Sequence, residues 1–264
     1  MPIIDQGSGT PLVLIPGIQG RWGDLRPAVD MLSRSFRVIT FPLCGERTSD
    51  VRFDPARGLD NYVAQTIAVL NDIGVRHAAV CGISFGGIVA LRVAAAYPER
   101  TRALVLASTP GPTWQPCRRH EVYARAPRLF APLFVAETPW RLWAELASAF
   151  PDRQARARFL RSQLRVLLDA PLSFRRMAER ARLISKTNRV ADCASVTAPT
   201  LVVTGEAELD RVVPVDSSIQ YLRLIRDSRA VVLERTGHLG SITRPDAFAA
   251  LVRDFVGAAR PVAA

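Results

Sequence analysis

Residues 78–83, AAVCGI, are apolar throughout, and they run straight into Gly82-Ile83-Ser84-Phe85-Gly86-Gly87 and on into a small apolar stretch, Phe85–Tyr97. A short run with no polar alternation suits a strand covered on both faces, as in a parallel sheet. The stretch after it has helical length and composition. The form Gly-x-Ser-x-Gly between the two predicts a tight strand-to-helix turn with the serine at its apex. Side chains at positions 82 and 86 would collide with neighbouring backbone there, so glycine relieves the crowding. Such a turn pushes a hydroxyl out of the core and sets it at a helix N-terminus, whose free N–H groups favour developing negative charge. Few architectures accommodate that unit outside a sheet flanked by helices.

The rest of the chain keeps the same rhythm. Strands are expected at Pro11–Ile15, Phe36–Phe41, Arg102–Ala107, Thr200–Thr204 and Ala230–Leu233. Helices are expected at Asn61–Ile73, where apolar residues recur at 63, 67, 70 and 73, at Val215–Ile225 and at Pro245–Val256. Alternation of this kind predicts an α/β fold, with a mostly parallel central sheet, right-handed crossovers and helices on both faces.

From about Gly111 to Thr197 the rhythm breaks. No convincing strand occurs, and helices are expected at Cys117–Arg125, Pro139–Phe150, Asp152–Asp169 and Pro171–Ile184. In the third, Ala157, Leu160, Leu164 and Leu168 share a face while Arg158, Arg161 and Arg165 lie off it. The domain reading is therefore a core of residues 1–110 and 198–264, with 111–197 as a helical insertion. That insertion carries 16 Arg/Lys against 7 Asp/Glu, most of the chain's excess charge of +11. The charge reads as a solvated basic face or as an entrance favouring acidic substrates. Of its aromatic residues, Trp114, Trp140, Trp143, Phe150, Phe159 and Phe174, most are expected to pack the insertion onto the sheet and some to face the site.

Several function classes are excluded. The basic residues are 34 Arg and the single Lys186, dispersed along the chain. No helix-turn-helix, zinc-finger or RRM signature accompanies them, so no nucleic-acid partner is expected. Cys44, Cys81, Cys117 and Cys193 are widely spaced without a CxxC pair, which points to neither a metal site nor a redox pair; Cys81 reads as a small core residue. There is no Walker loop, no His-Glu-x-x-His and no dinucleotide fingerprint, so no metal or organic cofactor is expected. The start, MPIIDQGSGT, lacks a signal-peptide pattern, and no run reaches about 18 apolar residues. The expectation is a cytoplasmic protein with no membrane partner; oligomeric state is left open.

Ser84 needs a base. Of three histidines, His238 sits in Thr236-Gly237-His238-Leu239-Gly240, after the last strand and before the last helix. His77 precedes the serine strand and reads as a cap or surface residue; His120, in the insertion, could at most line a pocket. An imidazole titrating near neutrality can take the serine proton and return it.

With these residues in hand, the chain from about Thr10 to Val256 resembles the α/β-hydrolase family. The resemblance implies a helical cap inserted after the family's sixth strand, which corresponds to 111–197, and a triad in the order serine, acid, histidine. The acid would lie in the segment GEAELDRVVP after TLVVT. Asp210 opens Asp-x-Val-Val-Pro, like the family's acid turn, and is preferred to Glu208, where a shorter alignment would put the acid. Its task would be to hold the histidine tautomer and stabilise the imidazolium. The resemblance also implies an oxyanion hole from the backbone N–H groups of Phe85 and Ile18. The latter lies in the loop Pro16-Gly17-Ile18-Gln19-Gly20, where many members carry His-Gly and this chain carries Pro-Gly. Gln19, Arg21 and Trp22 are read either as pocket floor or as a packed surface loop.

The function implied is a serine hydrolase cleaving a small-molecule carboxylic ester or related acyl bond through an acyl-enzyme. Lactones and carbon–carbon bonds of β-diketone-like compounds are alternatives on the same triad. A non-catalytic small-molecule-binding protein on the same scaffold is the reading from another class.

Overall fold

The computed structural model describes residues 3–169 and 172–259. Its described residues form one seven-stranded sheet. The strands are β1 (Ile4–Gln6), β2 (Pro11–Ile15), β3 (Arg37–Thr40), β4 (Ala78–Ile83), β5 (Thr101–Ala107), β6 (Thr200–Thr204) and β7 (Ser228–Val232). The spatial order is β1-β3-β2-β4-β5-β6-β7, with β1 antiparallel to β3 and every other pairing parallel. The short polar β1 escaped the sequence reading; Asp5 on it pairs with Arg37 of β3 at 2.6 Å.

Helices alternate with the strands. In chain order they are α1 (Arg26–Leu32), α2 (Asp60–Asp72), α3 (Phe85–Ala96), α4 (Arg118–Arg125), α5 (Pro127–Ala149), α6 (Arg153–Asp169), α7 (Phe174–Lys186), α8 (Arg189–Ser195), α9 (Val215–Ile219), α10 (Tyr221–Leu224), α11 (Gly240–Thr243) and α12 (Pro245–Ala258). Successive side chains of a strand point to opposite faces, and this divides the core in two. Val13, Ile15, Ile39, Val80, Leu104, Leu106 and Val202 pack with α2, α3 and Tyr221 on one face. Leu12, Leu14, Val38, Ala79, Cys81, Val105 and Val203 pack with α1 and α12 on the other. The apolar strands predicted from sequence are apolar because both of their faces are covered.

Between β5 and β6 the described residues hold helices and no strand. Several boundaries differ from expectation, two of them by three residues or more. The helix expected from Pro139 runs from Pro127 through both Pro132 and Pro139. Proline removes a helix hydrogen bond, but tertiary packing outweighs that loss: Tyr123 stacks on Phe130, and Phe134 meets the edge of Phe174. The helix expected from Pro171 begins at Phe174, where Ser173 caps it by accepting from the Arg176 N–H; Pro171 itself lies outside the described residues. The Leu face expected on α6 stays largely in solvent, with Leu168 70 % exposed. Trp140 and Trp143 are also exposed, each under a guanidinium, Arg211 and Arg156 respectively. The helix expected over 215–225 breaks at Gln220 into α9 and α10. No helix among the described residues is long and apolar enough to cross a membrane.

Candidate active site

The sheet order itself gathers the site. β2 lies between β3 and β4, so the loops leaving the carboxyl ends of β2 and β4 emerge side by side, Ile15 pairing with Gly82. Crevices at such points are where open α/β sheets bind ligands. The loop after β2 is Pro16–Gly20, and the turn after β4 carries Ser84.

Ser84 has φ 55° and ψ −119°, outside the regions open to most side chains. The surrounding glycines explain how the turn closes: a β-carbon at Gly82 would overlap the carbonyl of Gly86, and one at Gly86 would overlap the carbonyl of Ile15. Tight packing thus holds a strained backbone and leaves the hydroxyl half-buried at the N-terminus of α3. Phe85 is the first residue of α3, so its N–H has no acceptor within the helix. Gly17 stands against the same turn: a β-carbon there would lie 3.6 Å from that of Ser84. Ile18, the other candidate donor, follows directly.

His238 reaches the serine from the loop after β7. Its Nε2 lies 3.0 Å from Ser84 Oγ and its Nδ1 3.3 Å from Asp210 Oδ2. A carboxylate only accepts, so Nδ1 carries the proton, and Nε2 is left to accept from the serine hydroxyl. Asp210 is buried in the loop after β6, where Oδ1 accepts the N–H groups of Val212 and Val213 at 2.9 Å each. Burial pushes the Asp210 pKa up, but the His238 charge and the hydrogen bonds from His238, Val213 and Val212 outweigh it, holding the group below the usual carboxylate range. Burial likewise pulls His238 down, and the charge and hydrogen bond of Asp210, with help from Glu145, raise it above its ordinary value. Glu208 is exposed and has no part in this cluster.

The other two histidines stand apart. His77 is exposed with Nδ1 2.7 Å from the Glu99 carbonyl. His120 lies against Trp114, with Nδ1 3.3 Å from Cys117 Sγ. The cysteines are free, and all but Cys117 are buried. Among the described residues no three His, Cys, Asp or Glu side chains cluster as a metal site would require.

The Pro16–Gly20 loop is braced by residues that sequence reading missed. Arg180 of α7, fully buried, donates from Nη1 to the Ile18 carbonyl at 2.9 Å and pairs with Glu46 at 2.7 Å. Its guanidinium also lies over the Tyr62 ring. Arg21 closes on Asp24 at 2.6 Å and so packs the loop rather than opening into a pocket. Glu145 of α5 is the second missed residue: it is fully buried, and it accepts the Leu239 N–H at 2.8 Å. The available signal was a charged residue on an apolar helix face, since Met177, Arg180 and Ile184 fall three and four apart, as do Leu142, Glu145 and Ala149.

The chain is similar to 2-hydroxy-6-oxo-2,4-heptadienoate hydrolase of Pseudomonas putida, at 27% identity over 96% of this chain and 91% of that protein. It is similar to 3-oxoadipate enol-lactonase 1 of Acinetobacter baylyi, at 26% identity over 90% of this chain and 84% of that one. Its fold superposes on the crystal structure of the enol-lactonase from Burkholderia xenovorans LB400 with TM-score 0.80, 20% identity, and coverage of 97% and 96%. The sequence pattern of the Alpha/beta hydrolase family matches residues 12–251, and on that extent of match the chain belongs to the α/β-hydrolase family and is a hydrolase.

Proposed function

We propose that the protein hydrolyses a small-molecule acyl compound through a covalent intermediate on Ser84, with His238 as base and Asp210 as its orienting acid. The observation that carries this is the aligned run of contacts from Asp210 Oδ2 through His238 to Ser84 Oγ, at 3.3 and 3.0 Å, on a strained turn. Ser84 Oγ attacks the substrate carbonyl as its proton passes to Nε2. The N–H groups of Ile18 and Phe85 hold the tetrahedral oxyanion. The intermediate collapses, and the imidazolium gives its proton to the departing alkoxide. Water then enters, loses a proton to Nε2 and attacks the acyl-enzyme; the released acid leaves Ser84 with its hydroxyl restored. The helical segment 111–197 acts as a cap over these loops.

A carboxylic ester is the simplest substrate. A second reading, an enol-lactone or a carbon–carbon bond next to a carbonyl, is favoured by relatives named as an enol-lactonase and a dienoate hydrolase. The names of both describe compounds that are themselves acids, and the cap segment's 16 Arg/Lys against 7 Asp/Glu fits an acidic substrate.

The test is a panel of p-nitrophenyl esters of rising chain length, lactones and vinylogous 1,5-diketo acids. Turnover of at least one class, lost in Ser84→Ala, is expected. Binding of panel members without turnover by folded wild-type protein would support the binding-protein reading instead.

A further inference from the structure

We infer that Glu145, carried into the core by α5, is a positioning residue for His238: it fastens the backbone just after the imidazole and sets a second carboxylate beside the Asp210–His238 pair. The inference rests on the roles given above to Ser84 and His238.

Glutamate is rarely buried without a partner that compensates for lost hydration. Glu145 is 0 % exposed, whereas Glu121, Glu137 and Glu179 of the same insertion all keep contact with solvent. Only one of its two oxygens is hydrogen-bonded. Oε1 accepts the Leu239 N–H, while Oε2 is buried and has no hydrogen-bond partner among the described residues. An arrangement so costly in isolation is explained by what it faces. His238 and the N–H groups of Gly237 and Leu239 bear on it from the loop after β7, and Asp210 bears on it from the loop after β6.

The remaining charges around this stretch are committed elsewhere or act weakly. Arg141, one turn back on α5, opposes a charged His238. Arg235 donates to the Ser148 carbonyl at 3.1 and 2.8 Å, and Arg211 lies over Trp140. Arg156 of α6 lies over Trp143. On α7, Arg176 pairs with Glu179, and Arg180 with Glu46. None of these cations pairs with Glu145; the charged side chains that bear on it are His238 and Asp210.

Burial raises the Glu145 pKa to about 7, against the pull of the Gly237 and Leu239 N–H groups and the His238 charge. Each group bears on the other's charge, so their ionisations are coupled. Ionised, it favours the imidazolium that forms when Ser84 gives up its proton. Because Glu145 belongs to the insertion and His238 to the core, seating of the insertion adds to the hold that Asp210 has on the imidazole.

The experiment follows the rate of fluorophosphonate labelling at Ser84 against pH in the intact protein, for wild type, Glu145→Gln, Glu145→Met and Glu137→Gln. Glutamine keeps the Leu239 contact and removes the charge; methionine removes both, and an apolar side chain of similar volume often preserves folding at a buried charged position. Both Glu145 variants are expected to shift the midpoint of the rise in labelling to lower pH, and either alone decides that point if the other fails to fold. Methionine is also expected to slow labelling at high pH by about tenfold or more, because the imidazole loses its backbone anchor. Glu137→Gln should match wild type. Wild-type midpoint and rate in a folded Glu145 variant would overturn the inference alone. A wild-type protein not labelled at Ser84 would overturn the Ser84 reading, and this inference with it.

Discussion

At the scale of single residues, the geometry separates two carboxylates that lie two positions apart in sequence. Asp210 is buried beside His238 Nδ1, and Glu208 is exposed. Asp210→Asn should lower kcat by about 10³–10⁴-fold, because an amide can hold the wrong tautomer. Glu208→Gln should stay within about twofold, as surface substitutions away from a site do. Steady-state turnover on any accepted substrate checks both. The raised His238 pKa has a definite sign in kinetics for the proposed base: the imidazole is neutral only above it. The acid limb of kcat/KM should therefore have its midpoint above the ordinary histidine value of about 6.5, with activity lost as pH falls through it. Ser84 and His238 stood out in the sequence because glycines crowd around them. Glu145 and Arg180 did not, because their importance lies in what folds over them. A charge on an apolar helix face is the trace they leave, and it names no partner.

At the scale of elements, the turn after β4 is the most constrained. A β-carbon at Gly82 would strike the backbone of Gly86 and Gly87, main chain that cannot rotate away. Gly82→Ala should destabilise the fold by about 2–3 kcal/mol, the cost of overpacking a tight site, read as a lower urea midpoint with an unchanged slope. The strands Pro11–Ile15, Ala78–Ile83 and Thr200–Thr204 were legible to the residue, since burial on both faces demands unbroken apolar runs. β1 was not, because an antiparallel edge strand of three residues with two exposed side chains carries no such run. The path of α5 through Pro132 and Pro139 was hidden for a different reason: local propensity argues for a break, which contacts with α4 and α7 offset, the aromatic ones and the Arg119–Glu137 and Tyr123–Glu137 pairs.

At the scale of the whole molecule, charge is distributed unevenly, with a net excess of nine positive charges on residues 111–197. Screening acts over about 8 Å at physiological salt. If that field draws in acidic substrates, kcat/KM for a carboxylate-bearing ester should fall as salt rises, while that of a neutral ester of similar size stays level. The central claim concerns one bond. Intact protein treated with a fluorophosphonate and mapped by peptide mass should carry the adduct on Ser84 alone, with none after Ser84→Ala and a severe slowing after His238→Ala. An adduct elsewhere, or a Ser84 labelled at the same rate without His238, would contradict it.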